Sequence, residues 1–247
     1  MQNFRPSINT VPPVVKNLII INVLMWLATI ILKMRGIDLT NILGLHYIES
    51  PEFKPYQLVS HMFMHDSSGP MHLIFNMFAL WMFGRVLESV WGPKRFFIYY
   101  FVTGLGAAAL HTFVNYMEFH YYAAKIDPEA VQAVFSKGAE ILQQGQNWVG
   151  SAGKLNLILN TPTVGASGAV FGILLGFGML FPNTQLMLLF PPIPIKAKYF
   201  VAGYGAIELF SGITGAGPNI AHFAHLGGML FGFFMIKYWN RNTNNFY

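Results

Sequence analysis

Charged side chains withdraw from this chain in blocks. None occurs from Leu18 to Leu32, from Phe96 to Tyr116 or from Val164 to Phe181, and they are sparse from Met71 to Val90, Tyr199 to Ile213 and Asn219 to Trp239. Runs of this length read as helices that cross a bilayer, because lipid offers no partner for backbone N–H and C=O groups. The pattern predicts six spans, the first over Lys16–Leu32 and the others over the blocks just named, in an all-α polytopic membrane protein. Gly92-Pro93 makes the connection between the second and third spans a tight turn. Two connections are long. Residues 33–70 mix charges with Leu39, Ile42, Leu43, Phe53 and Phe63, and are expected to fold onto the membrane surface. Residues 117–160 are expected to carry a surface helix over Ile126–Leu142, started by Asp127-Pro128-Glu129. Residues 1–17 read as a polar tail, and Pro191-Pro192-Ile193-Pro194 stiffens the loop before the fifth span. The glycines of Ser211–Pro218 mark a plausible moving cap before the sixth.

Composition agrees with the spans: 54% of the 247 residues are hydrophobic, 10% are charged, and mean hydropathy is +0.45. Six blocks leave little room for a separate globular unit, so residues 1–247 are read as one domain with an insertion at about 117–160. The first block is followed by Lys33-Met34-Arg35-Gly36 without a small-x-small cleavage pattern, and reads as a retained span. No basic cluster is longer than Lys94-Arg95, which excludes a nucleic-acid partner. With no cysteine, neither a disulfide framework nor a thiol nucleophile is possible. Arg5, Lys16, Arg85, Lys94, Arg95, Lys196, Lys198, Lys237 and Arg241 fall on the side that would hold both termini, while the other side has fewer bases and most of the acids. By the positive-inside rule both termini are cytoplasmic and the Ser167 end of the fourth span faces outward.

Chemistry concentrates at that outward level. Gly168, Gly172 and Gly176 recur every four residues and form a bare stripe beside Ser167, which lies one to two turns into its span. Most intramembrane serines satisfy a helix contact and nothing more. Here the sixth span repeats the device: His225, Gly228 and Gly232 share a face, and packing the two stripes together would bring His225 against Ser167. Imidazole is the side chain whose ordinary pKa suits removal of a serine proton near neutrality. His222, one turn before His225, competes for that role, and the glycine spacing favours His225. Glu208 lies on the fifth span, well below its outer end, so the pair reads as a Ser-His dyad with no carboxylate, and Phe171 is placed to hold the ring by stacking. His72 and Asn76, an i, i+4 pair opening the second span, and the N–H of Ser167 are candidate oxyanion donors.

These motifs, His72-x-x-x-Asn76, Gly165-Ala166-Ser167-Gly168 and Ala224-His225-x-x-Gly228-x-x-x-Gly232 in that order, resemble the rhomboid intramembrane serine proteases. The likeness extends to Phe63-Met64-His65 and to Phe83–Glu88 through Gly92–Phe96, covering roughly residues 55–110 and 160–236. It implies a six-helix rhomboid-like bundle around an outward cavity, Ser167 as nucleophile, His225 as general base, and His72 and Asn76 near the oxyanion. It also implies a cap before the sixth span and a lateral entry bordered by the fifth. The family's first long loop commonly carries Trp-Arg where Tyr56-Gln57 stands here, and residues 117–160 exceed the matching loop of minimal members; that insertion either shapes substrate access or binds a partner.

The function expected is an intramembrane serine endopeptidase acting on transmembrane segments of single-span membrane proteins in the lipid bilayer, without a cofactor. The alternative is a catalytically silent rhomboid-like protein that binds membrane helices. A channel or transporter would need paired intramembrane charges or an inverted repeat, and neither is present. His61, His65 and His72 lack a His-Glu-x-x-His pattern, so no metal site is expected; His65 reads as a structural hydrogen-bonding residue. His111, His120, Asn22 and Asn115 are read as interfacial. The compact six-span form points to a bacterial plasma membrane.

Overall fold

The computed structural model describes residues 11–188, 192–215 and 222–242. In chain order the helices are α1 (Pro13–Lys33), α2 (Leu39–Leu43), α3 (Gln57–Ser60), α4 (Met71–Ala79), α5 (Arg85–Trp91), α6 (Pro93–Ala123), α7 (Pro128–Gln143), α8 (Gly150–Asn160), α9 (Ser167–Leu180), α10 (Ala197–Thr214) and α11 (His222–Asn242). A five-residue π-helical turn, Leu80–Gly84, joins α4 to α5 into one rod from Met71 to Trp91. Strands β1 (Gln185–Met187) and β2 (Pro194–Lys196) form a small antiparallel hairpin before α10, with Leu186 opposite Ile195. Among the described residues α1, the Met71–Trp91 rod and α6 are long and apolar enough to cross a membrane, and α9 is apolar but shorter. The chain is a polytopic helical membrane protein.

Several boundaries depart from the sequence reading, each for a local reason. Helix α1 starts at Pro13, inside the expected tail. Proline at the first helical position forfeits no hydrogen bond, and the buried carboxylate of Glu88 accepts the N–H groups of Val14 and Val15 at 2.9 and 2.8 Å. Helix α6 has 31 residues and continues through the expected interface to Ala123. Its end joins Tyr47, Val134, Leu155 and Leu159 around Phe119, so residues 117–160 fold as a helical unit of α7 and α8 against the first long loop. Asn22, expected at an interface, is buried and donates to the Leu18 carbonyl at 2.7 Å. Helix α10 runs on to Thr214 and ends at Gly215, so Ser211–Thr214 is helix; residues 216–218 of the expected cap, residues 219–221 of the expected sixth span, Pro191 and residues 1–10 lie outside the described residues.

The first loop is anchored by Gln57. Its buried amide accepts N–H groups from His46 and Lys54 and donates to the carbonyls of Ile42 and Glu52, at 2.9 to 3.3 Å. A neutral side chain thus ties the loop at the Tyr56-Gln57 position. The loop in turn holds the segment before α9: Leu45 and Thr163 exchange two backbone hydrogen bonds, and the Gly165 N–H donates to the His61 carbonyl at 3.0 Å.

The core is the junction of α6, α9 and α11. The glycine stripe of α9 faces α6 more than α11: a side chain at Gly172 would meet Thr103, and the Tyr99 hydroxyl donates to the Gly172 carbonyl at 2.7 Å. The two stripes meet where the Gly228 backbone lies on the Gly168 carbonyl, with no room for a methyl group between them.

Candidate active site

Helix α9 does not begin at Val164 as the apolar run implied. Gly165 has φ +132°, a conformation that favours glycine, and it turns the extended Thr163 segment into the helix so that Ser167 is its first residue. The helix therefore has 14 residues and starts below the end of the apolar run. Ser167, lacking an intrahelical acceptor for its N–H, lines a small cleft of about 20 Å³ together with His61, Val164, Gly165, Gly168 and Ala224 among others.

Helix α11 brings His225 to this point. Its Nε2 lies 2.9 Å from Ser167 Oγ, and its ring stacks on Phe171 with centroids 4.1 Å apart and planes 6° from parallel. The imidazole is buried. These are two of the contacts that the spacing implied.

His72, the second residue of α4, stands on the other side of Gly165. The Asp66 N–H donates to its Nδ1 at 3.4 Å, which leaves the ring proton on Nε2. A methyl placed on Gly165 would fall 3.2 Å from His72 Nε2 and 3.4 Å from Ser167 Oγ. That spot is reachable by a substrate oxygen within hydrogen-bonding range of a donor and beside the serine. Asn76 is buried and donates to the His72 carbonyl at 2.8 Å, steadying the turn that carries His72; one of its amide hydrogens is engaged there.

The expected level of Glu208, well below the site, is corrected by α10. Glu208 Oε2 lies 3.0 Å from His225 Nδ1 and accepts a 2.7 Å hydrogen bond from His222 Nδ1. Glu208 lies six residues, about 9 Å of rise, from the end of α10, and His225 three residues, about 4.5 Å, into α11, yet the 3.0 Å contact puts the two side chains at one level. Depth counted from helix ends alone missed this. The three side chains hold their ligating atoms within 4.8 Å of one another, a spacing that a cation could also use, but the hydrogen bond from His222 already occupies the carboxylate oxygen.

Supporting residues lie behind the serine. His111, expected at an interface, faces inward: its Nε2 lies 2.7 Å from the Thr163 hydroxyl and 3.2 Å from the Asn115 amide nitrogen, tying α6 to the extended segment that leads to Gly165. His120 is exposed and bonded to the Tyr116 carbonyl. His61 donates Nδ1–H to the Gln57 carbonyl at 2.8 Å, and burial pushes its pKa down to about 4. His65, expected to hydrogen-bond, is fully buried with both ring nitrogens unpartnered and packs on His72 at 5.2 Å between centroids; burial and the neighbouring His72 lower its pKa to about 4. Gly165, Glu208 and Thr163 are the participants that sequence spacing did not single out. Gly165 alone carried a signal, as the glycine two residues before the serine.

Comparison with known proteins bears on the whole arrangement. RHOMBOID-like protein 12, mitochondrial, of Arabidopsis thaliana is 29% identical over 175 residues, covering 70% of this chain and 43% of that protein. Rhomboid protein 1, mitochondrial, of Saccharomyces cerevisiae is 27% identical over 162 residues, covering 65% and 36%, and presenilin-associated rhomboid-like protein A, mitochondrial, of Danio rerio is 26% identical over 169 residues, covering 68% and 34%. The chain thus spans less than half the length of these relatives. The model of the rhomboid domain matches residues 52–241, which include every residue of the Ser167 cluster, and the chain belongs to the rhomboid family.

Proposed function

We propose that this protein is an intramembrane serine endopeptidase that hydrolyses peptide bonds in or near transmembrane segments of other membrane proteins. The observation that carries the reading is the 2.9 Å approach of His225 Nε2 to Ser167 Oγ, beside a spot that His72 Nε2 and Ser167 Oγ both reach. In the first step Ser167 Oγ attacks the scissile carbonyl carbon as its proton passes to His225 Nε2. The carbonyl oxygen, now negative, occupies the place over Gly165 and accepts from His72 Nε2–H and the Ser167 N–H. Collapse breaks the C–N bond, and His225 returns the proton to the leaving amine. Water enters with His225 as base and releases the acyl group from Ser167. Asn76 takes part as the support of His72. These steps use the side chains of Ser167, His225 and His72 and one backbone N–H, and call for no metal or organic cofactor.

A helix presents no free carbonyl to a nucleophile, since each is hydrogen-bonded within the segment. Substrate segments weakened by glycine or proline near the cut, with a small residue at the bond, are therefore the preferred class. The six-span bundle, with α9, α10 and α11 as its last three members and both termini on one side, is part of this proposal. The protein is integral to a membrane; the relatives are mitochondrial by name, which weighs against a bacterial plasma membrane as its location.

The test is labelling of the detergent-solubilised protein by a fluorophosphonate probe. Wild type is expected to label, and Ser167→Ala and His225→Ala are not. Equal labelling of Ser167→Ala, or a folded wild type that binds a model transmembrane peptide without labelling or cleavage, would overturn the proposal and leave a helix-binding protein.

A further inference from the structure

Glu208 is a buried carboxylate that the steps above do not use. Helix α10 buries Ala197, Val201 and Glu208, and the carboxylate is among the least exposed of its side chains. A carboxylate within a membrane helix is costly, and an apolar residue would fill the position more cheaply. Among the described residues its ion-pair partners are His222 and His225, both on α11. His222 supplies an aligned hydrogen bond. His225 Nδ1 approaches to 3.0 Å without that alignment and is otherwise buried with no partner.

The chemistry of the base requires something at that nitrogen. For His225 Nε2 to take a proton from Ser167 it must start bare, so the neutral ring carries its hydrogen on Nδ1. Stacking on Phe171 fixes the plane of the ring but is indifferent to which nitrogen is protonated and to a half-turn flip within the plane. The groups that face His225 are Ser167 and Phe171 on α9, His222 on its own helix, His72 on α4, His111 on α6 and Glu208 on α10. Of these Glu208 is the anion, and its oxygen lies on the Nδ1 side. We infer that Glu208 is a positioning residue for the reaction proposed above: it selects the Nδ1–H tautomer of His225 and compensates the imidazolium formed when Ser167 gives up its proton. His222, by donating to the same oxygen, holds the carboxylate in place. The apparent dyad is then a Ser-His-Glu arrangement whose third member comes from a different helix, so the strength of the base depends on where α10 stands.

The experiment uses the full chain in micelles, with wild type, Glu208→Gln, Glu208→Asp, Ser167→Ala and His225→Ala. Two quantities are read: the rate of fluorophosphonate labelling, and the tautomer of His225 from ¹⁵N shifts of histidine-labelled protein, assigned by the loss of its signals in His225→Ala. Glu208→Gln, nearly isosteric, is expected to label on the order of 10²-fold more slowly; loss of the buried aspartate of a serine-protease triad costs about 10⁴-fold, and here Phe171 still holds the ring. Glu208→Asp is expected to recover part of that rate. The wild-type ring is expected as Nδ1–H, and the Gln variant as a mixture with Nε2–H, a change that a purely structural role would not produce. A folded Glu208→Gln that labels within about twofold of wild type overturns the inference, and so does a wild-type ring already in the Nε2–H form, a result that stands even if the Gln variant does not fold. The two readings separate cleanly. If wild type labels while Ser167→Ala and His225→Ala do not, an unaffected Glu208→Gln sinks the role of Glu208 alone; if Ser167→Ala labels like wild type, the protease reading falls and this one with it.

Discussion

Helices α9 and α10 enter the same site and are built in opposite ways. Nine of the 14 residues of α9 are buried, and its backbone is so close to α6 and α11 that a methyl group would not fit at Gly168. Helix α10 buries three of 18 residues, and an added Cβ at Gly203 would meet nothing within 4 Å. The nucleophile thus sits on an element fixed by packing, while the carboxylate behind the base sits on one held by few contacts. The difference teaches that Ser167 and His225 derive their 2.9 Å approach from the α6–α9–α11 junction, whereas whatever α10 contributes can vary as α10 moves.

The sharpest way to break this contrast is to add one methyl group to the rigid side. In Gly228→Ala the new carbon lies on the Gly168 carbonyl, backbone against backbone, so the helices must separate. We expect a loss of about 3 kcal/mol or more, at the upper end of overpacking effects, and no labelling, because His225 is one turn away. Thermal unfolding in micelles measures it; an unchanged midpoint would mean that the junction yields more easily than its geometry implies. Gly165→Ala comes next. The methyl occupies the space between His72 and Ser167, and φ +132° strains any residue with a Cβ. Labelling should fall on the order of 10²- to 10³-fold, as for loss of an oxyanion donor, while the fold weakens by about 1–3 kcal/mol.

How far these features were legible in the sequence follows the same division. Spans appeared because lipid imposes a long, uncharged run, and the Ser167–His225 pair because glycine spacing marks the face by which helices approach. Phe171 followed from one turn of helix. Glu208 was missed since its level depends on where α10 and α11 end relative to each other, a relation between helices that no single-helix periodicity encodes. The start of α9 was misread because hydrophobicity does not register Gly165's positive φ, and the inward role of His111 because its partner, Thr163, is 52 residues away. Gln57 stood in view, but four hydrogen bonds to backbone distant in sequence cannot be read from a residue type.

Acid should act on the same frame. His61 and His65 are buried in the loop that supports Gly165, with pKa values lowered from 6.5 to about 4. Between those values the unfolded chain binds more protons than the folded one, so stability is fully present above about pH 6.5 and is lost as pH falls toward 4, by up to roughly 3 kcal/mol for each ring. Asp66, whose hydrogen bonds with Ser68 hold its pKa below 3.8, adds nothing in that window and loses stability only under more acid conditions. The unfolding midpoint is expected to drop steadily from pH 7 to pH 4.5. A flat profile, or one that rises, would show that these rings are protonated or hydrated in the folded protein.

The smallest expected effect is the most discriminating partner to the first. Gly203→Ala on α10 makes the same chemical change as Gly228→Ala, one hydrogen replaced by one methyl in a helix of the same bundle. Its Cβ would point into open space, so no neighbour has to shift. The better helix propensity of alanine, worth up to about 1 kcal/mol in an exposed water-facing helix, is largely muted in a segment whose backbone bonds are already enforced by lipid. The unfolding midpoint should therefore correspond to a change within about 0.5 kcal/mol, and labelling should match wild type. If Gly203→Ala instead destabilised the protein as much as Gly228→Ala, α10 would be packed against something along its exposed face, another copy of the chain or a partner helix, and the division between a fixed nucleophile and a loosely held carboxylate would apply to the isolated chain but not to the protein in its membrane.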